Sequence, residues 1–224
     1  MAESTLGTST ERPGTVQRPE SHIGDALRAH LYAWLGEALR APPGQATLQR
    51  VQTQFRVDGD DGTEGSQNPS ALRRALEQLQ REARRADLND LDDEYHALFI
   101  GLGRGELMPY GSWYLTGYLM GRPLAQLRSS LQALGLERQP HVCEPEDHAG
   151  ALCETMALLA DPVDGVPLSV QREFYDSYLA PWLGSFFRDM QQAPSARFYA
   201  AVGALGDAFG EVEQRYLDTF AAES

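Results

Sequence analysis

A chain of 224 residues that is 42% apolar, with three Trp, nine Tyr and eight Phe, is long and apolar enough for one globular domain with a substantial core. Nineteen basic residues against 32 acidic ones leave a net charge of −13, which repels phosphate backbones and anionic membranes and attracts cationic ligands. Every basic residue is arginine, so a P-loop lysine, a Schiff-base lysine and a lysine general base are all excluded.

Met1 to Glu20 is rich in Ser, Thr, Gly, Glu and Pro and is expected to be a flexible tail, because such a composition cannot repay its ordering entropy by burial. It has no apolar leader-like run, and no later segment approaches the ~20 apolar residues of a membrane span. With only two cysteines, Cys143 and Cys153, a reduced cytoplasmic setting is the simplest expectation.

From Ser21 onward, the chain (21–224) reads as one all-α, helical-bundle domain of about eight or nine helices. Ile23, Leu27, Leu31, Trp34, Leu35 and Leu39 recur at spacings of three and four, predicting an amphipathic helix that ends before Pro42-Pro43-Gly44. A short helix is expected within Ala46 to Phe55, followed by a flexible acidic loop over 56–70. Pro69 and Ser70 open a long helix with a stripe of Leu72, Leu76, Leu79 and Ala83. Asp87 starts another, in which Asp90, Asp92, Asp93 and Glu94 load the early turns, as the macrodipole favours.

That helix stops at Gly101, and Leu98 to Tyr114 then reads as neither plain helix nor plain loop. Three glycines, Gly101, Gly103 and Gly105, precede Pro109, Tyr110, Ser112, Trp113 and Tyr114. Aromatic side chains on an ordered loop offer apolar area with a hydrogen-bonding tip, a composition suited to binding. A phosphate cradle is a poor fit, since the glycines follow a helix and no lysine exists. Ser112 is expected to serve as a helix N-cap rather than a nucleophile, with no elbow motif around it.

A helix carrying Leu124, Leu127, Leu131 and Leu134 follows, closed by Gly135. The polar connector Glu137 to Val142 leads to Glu144-Pro145-Glu146-Asp147-His148, read as the first turn of the next helix with its proline and acids in place. A histidine there is disfavoured in its charged form. His141, Cys143, His148 and Cys153 lie within thirteen residues and form an alternative, metal-binding or enzymatic cluster, though their spacings match no common zinc signature. After Asp161-Pro162, Ser169 can cap a helix with Val170, Phe174 and Tyr178. The stripe continues through Trp182, Phe186, Phe187 and Met190 after an interruption at Pro181. The last helix presents Phe198, Val202, Leu205, Phe209, Val212, Tyr216 and Phe220.

Glu94-Tyr95-x-x-Leu98-Phe99-x-Gly101, then Pro109-Tyr110-x-Ser112-x-Tyr114, then Glu144-Pro145-x-Asp147-His148 with Met156, resembles the signature order of the TorD/DmsD family, with a weaker match from Phe174 to Trp182. The resemblance implies a cytoplasmic, all-helical, non-enzymatic chaperone for a molybdenum-cofactor oxidoreductase. Such a chaperone binds the twin-arginine signal peptide or apo form of its client before cofactor insertion and export. It implies Tyr95, Pro109, Tyr110, Ser112, Tyr114, Asp147 and His148 as the family's shared surface. Leu98, Phe99, Trp113 and Glu144 join them here as apolar cover and as an arginine acceptor. The chain departs from the pattern where Leu152 and Tyr178 stand, so nucleotide binding is not carried over. No cofactor, metal, nucleic-acid partner or stable membrane insertion is expected. A monomer and a domain-swapped homodimer, hinged at 137–142, both remain open.

Overall fold

The computed structural model describes residues 24–55, 70–101, 104–139 and 142–221. The expected N-terminal tail, the Ser21 cap, His141 and nearly all of the 56–70 loop fall outside them. Ten α-helices and no β-strand occur among the described residues, so the all-α expectation holds, with one or two helices more than the pattern suggested.

The first helix, α1 (Asp25–Arg40), buries Leu31, Tyr32, Trp34, Leu35, Ala38 and Leu39 and ends as predicted before the proline pair. The Trp34 indole donates to the Thr47 carbonyl at 3.1 Å, tying α1 to the short α2 (Gln45–Thr53). Ser70 caps α3 (Ala71–Arg85) by accepting from the Arg73 N–H at 3.1 Å, and Leu72, Ala75, Leu76, Leu79 and Ala83 form its buried stripe. Each such leucine contributes about 1.5–3 kcal/mol on leaving water. Asp87 caps α4 (Leu88–Tyr95) through the Asn89 and Asp90 N–H groups. A π turn over His96–Ile100 extends α4 and ends at Gly101.

Next come α5 (Gly111–Thr116), α6 (Arg122–Ala133), α7 (Ala149–Leu159), α8 (Leu168–Tyr178), α9 (Leu183–Gln192) and α10 (Phe198–Ala221). Three helix starts differ from expectation, that of α5 being described with the site below. Ser169 lies inside α8, whose N-cap is Pro167, and α7 begins only at Ala149, so Pro145, Glu146 and Asp147 precede it. Glu146 is occupied elsewhere, by Arg128 at 2.8 Å and Arg138 at 3.5 Å.

The most extensive helix pairs are α1 with α7 and α9 with α10, with α3 also on α10. Close approach of α1 and α7 depends on Gly36 and Gly150. A Cβ on Gly36 would lie 2.7 Å from the Glu154 side chain and one on Gly150 2.9 Å from the Gly36 carbonyl. Glu94, the penultimate residue of α4, caps α10, its carboxylate accepting from the Arg197, Phe198 and Tyr199 N–H groups at 2.8, 3.2 and 2.8 Å. The Tyr199 hydroxyl in turn donates to the Ala38 carbonyl at 2.8 Å. The core is locked by one ion pair: Arg28 of α1 grips both carboxylate oxygens of Glu213 of α10, at 2.7 and 2.6 Å, and donates to Gln171 of α8 at 2.9 Å. Both charged side chains are fully buried.

Candidate functional site

The glycine loop folds back on the π turn. Gly101 closes that turn by donating to the His96 carbonyl at 2.7 Å. The last carbonyls of a helix have no partner within it, and the returning segment supplies partners: Glu106 N–H bonds Ala97 O at 3.2 Å and Leu107 N–H bonds Leu98 O at 2.8 Å. Leu98 is therefore fully buried, and Tyr95, 8% exposed, packs against Phe99 and Tyr199 with ring centroids 5.1 and 6.1 Å away. Burial, then the nearby Glu144 charge, pushes the Tyr95 hydroxyl up to about 12. Of the predicted binding residues, Tyr95 and Leu98 belong to the core, and half-buried Phe99 packs beside them.

Beyond Leu107 the chain meets the segment before α7. Gly111 N–H donates to the Asp147 carbonyl at 2.9 Å and Ala149 N–H to the Pro109 carbonyl at 2.8 Å, making an antiparallel bridge between Tyr110 and His148. The two regions that the resemblance placed on one shared surface are thus in direct contact. The Tyr110 ring meets the His148 ring edge to face at 5.3 Å, and its hydroxyl donates to Glu144. Burial and then that hydrogen bond push the Tyr110 hydroxyl well above its ordinary value.

Asp147 takes the place expected for Ser112. One carboxylate oxygen accepts the Ser112 N–H at 2.8 Å, so the start of α5 is capped from outside by an acid, as the helix dipole favours. Ser112 is inside α5, fully buried, and its hydroxyl accepts the Met120 N–H at 2.8 Å. Met120 sits at φ 67°, a region costly for a side chain with a Cβ, and this bond helps hold it there. A continuous line of hydrogen bonds therefore runs from Asp147 through Ser112 to the turn 117–120. That turn is the most exposed apolar feature near the site: Leu115 is 46% exposed, Tyr118 78%, Leu119 46% and Met120 56%. Its signal in the sequence is three large apolar residues, Tyr118, Leu119 and Met120, bracketed by Gly117 and Gly121.

Asp147 and His148 are 4% and 5% exposed, so substitution of either is expected to lower stability. Asp147→Ala strands the buried Ser112 N–H and is expected to cost about 1–3 kcal/mol, read as a lower thermal midpoint. His148 is the N-cap of α7: its Nδ1 accepts the Gly150 N–H at 3.1 Å, so the neutral ring carries its proton on Nε2. Burial holds the imidazole down from 6.5 to about 4. The Glu144 charge opposes this, Arg40 adds to it and Asp147 opposes it. Between those two values the unfolded chain binds a proton that the folded chain refuses. The stability from neutral His148 is therefore complete above about 6.5 and lost as the pH falls toward 4. His148→Asn keeps a capping acceptor and is expected to flatten this part of the curve, measured as urea midpoints from pH 7.5 to 4.5. Parallel curves for the two proteins would contradict the assignment.

Trp113 and Tyr114 are half-buried on the outer side of α5. Tyr114 packs against Trp182 at 5.4 Å and donates to Asp189 of α9 at 2.8 Å. Burial and then the Asp189 bond raise its hydroxyl. Pro109 is buried under the bridge, and Glu144 is half-buried. Of the alternative cluster, whose His141 lies outside the described residues, Cys143 is exposed and Cys153 is in the core with its thiol pushed up by burial; among the described residues no three potential metal ligands converge. A cleft of about 450 Å³, lined by residues including Tyr32, Leu183, Phe187 and Phe209, contains none of the predicted binding residues. No helix among the described residues is long and apolar enough to cross a membrane.

Residues 66–188 match the nitrate reductase delta subunit family. The chain is 26% identical to a chaperone protein TorD of Vibrio cholerae over 216 residues, covering 92% of this chain and 98% of that one. It is 29% identical over 118 residues to a protein of Haemophilus influenzae named as the Tat proofreading chaperone DmsD, covering 52% and 56%. The fold is similar to the crystal structure of a redox enzyme maturation protein from Archaeoglobus fulgidus, with a TM-score of 0.53 at 18% identity, covering 89% of this chain and 99% of that one.

Proposed function

Since the chain belongs to the nitrate reductase delta subunit family and is a maturation chaperone of the TorD/DmsD type, we propose that it acts in the cytoplasm on one molybdenum-cofactor oxidoreductase. It binds the client's twin-arginine signal peptide and holds the apo catalytic subunit, without catalysing a reaction, until the cofactor is inserted and export can begin.

The observation that carries this reading is the contact between the aromatic loop and the Glu144 to His148 segment, which links an exposed apolar turn to the half-buried Glu144 carboxylate. A twin-arginine signal peptide joins cationic side chains to an apolar segment. Leu115, Tyr118, Leu119 and Met120 suit the apolar part, while Glu144 is a charged acceptor within reach of solvent. Asp147 and His148 act from beneath: they fix α5 and the apolar turn rather than touching the peptide. Tyr110, Trp113 and Tyr114 are the aromatic contacts.

Affinity capture from the native host tests the reading. The wild-type chain is expected to retain a molybdoenzyme catalytic subunit with its signal peptide still attached, and the Tyr118→Asp/Leu119→Asp variant to lose it. Absence of any molybdoenzyme from the wild-type eluate would overturn the proposal. Peptide affinity is also expected to fall with rising salt, because exposed ion pairs are screened over about 8–10 Å at ordinary ionic strength.

A further inference from the structure

Arg104 projects from the loop that Gly101 and Gly105 anchor, and its guanidinium lies over the Trp113 ring, with Cζ 4.4 Å from the centroid. The pair borders a cavity of about 320 Å³ whose walls include Tyr114, Asp189, Glu106 and Met108. The carboxylate of Asp189 is held by the Tyr114 hydroxyl through one oxygen, Oδ2, and the residue is otherwise exposed. Glu106 is bonded by the Ser195 N–H at 3.2 Å and by its hydroxyl. Past Pro194 a neighbouring cavity is lined by Asp90, Asp93 and Glu94 with Arg197, so acids outnumber bases on this side.

We propose that this cavity is a guanidinium subsite, in which an arginine side chain of the bound peptide stacks on Trp113 and pairs with Asp189, displacing Arg104. The inference rests on the peptide-binding reading and adds where one arginine goes. An aromatic face beside a carboxylate fits the planar, forked guanidinium, whereas an ammonium cannot stack and bond in two directions at once. Arg104 already makes the stacking contact from within the chain. It is an exposed residue on a loop, and cation–π contacts at exposed sites are weak, so a guest that adds a carboxylate bond can replace it. Arg104 is thus an internal competitor that raises the threshold for binding and favours arginine over lysine.

A fluorescein-labelled twin-arginine signal peptide and its twin-lysine counterpart, titrated into the full chain and two variants, test this. Arg104→Ala is expected to bind the arginine peptide about two- to fivefold more tightly through removal of the competing stack. Asp189→Asn keeps a hydrogen-bond acceptor for Tyr114 and is expected to bind it about two- to fivefold more weakly. Neither substitution is expected to alter affinity for the lysine peptide by the same factor. If the wild type binds the arginine peptide but Arg104→Ala binds it equally or less well, the subsite is wrong and the chaperone reading stands. If neither protein binds it, both fall.

Discussion

Replacing Arg28 by methionine is expected to lower the stability of the fold by about 3–5 kcal/mol, because it leaves the Glu213 carboxylate buried without its partner. Arg28 and Glu213 are both 0% exposed, and their two hydrogen bonds of 2.7 and 2.6 Å join α1 to α10 across 185 residues of chain. Arg28 also stacks on Tyr216, 4.2 Å from the ring centroid, and bonds Gln171, which itself donates to the Val166 carbonyl at 2.8 Å. One substitution therefore disturbs α1, α8 and α10 together. Urea denaturation should show a lower midpoint with an unchanged slope, and the thermal midpoint should fall by roughly 6–20 °C for a chain of this size. The double variant Arg28→Met/Glu213→Leu removes both charges and is expected to recover much of the loss. A single-variant loss below about 1 kcal/mol, the range of exposed pairs, would show that the pair is not desolvated.

Gly101→Ala is the second substitution with a large expected effect. Gly101 has φ 61° and ψ 174°, a conformation that costs a residue with a side chain about 1–3 kcal/mol. A Cβ there would also lie 2.1 Å from the Arg104 carbonyl oxygen and 2.7 Å from the Gly105 nitrogen, both backbone atoms that no rotamer change can move aside. The loop has to lift, which pulls Glu106 and Leu107 from the π-turn carbonyls and carries Arg104 away from Trp113. Stability and peptide affinity are expected to fall together, measured by thermal melt and titration. Gly210→Ala is the matched control. It lies within α10 with only the Tyr175 hydroxyl near, at 3.7 Å, so alanine there is expected to be neutral or stabilising by up to about 1 kcal/mol. Equal behaviour of the two variants would show that the Gly101 conformation is not required.

Local signals were the legible ones. Ser70 and Asp87 cap the helices they were expected to cap, and Gly135, at φ 72°, ends α6. What the sequence concealed was long-range. Arg28 sits one position from the stripe residue Leu27, yet it is Arg28 that is buried, because its partner lies at the far end of the chain. His96–Ile100 continues the apolar spacing of α4, and nothing local separates a π turn from a further α turn; the returning loop decides it. Asp147 stands in a run of acids that reads as a solvated helix start, whereas its carboxylate is used by α5, 35 residues earlier. His148 is an N-cap that no list of favoured capping residues suggests. The site was legible as two segments on one shared surface, and the way they meet was not, since it depends on a backbone bridge between positions 110 and 148.

The most direct test of where the client is held is amide hydrogen exchange of the full chain with and without a twin-arginine signal peptide. Binding at the α5 face should slow exchange over 104–121, with a smaller effect at 142–149 and around Asp189 of α9, and leave α8 and α10 unchanged. Protection confined to the cleft lined by Tyr32, Leu183, Phe187 and Phe209 would contradict the account and move the peptide site to that cleft, between α1, α9 and α10.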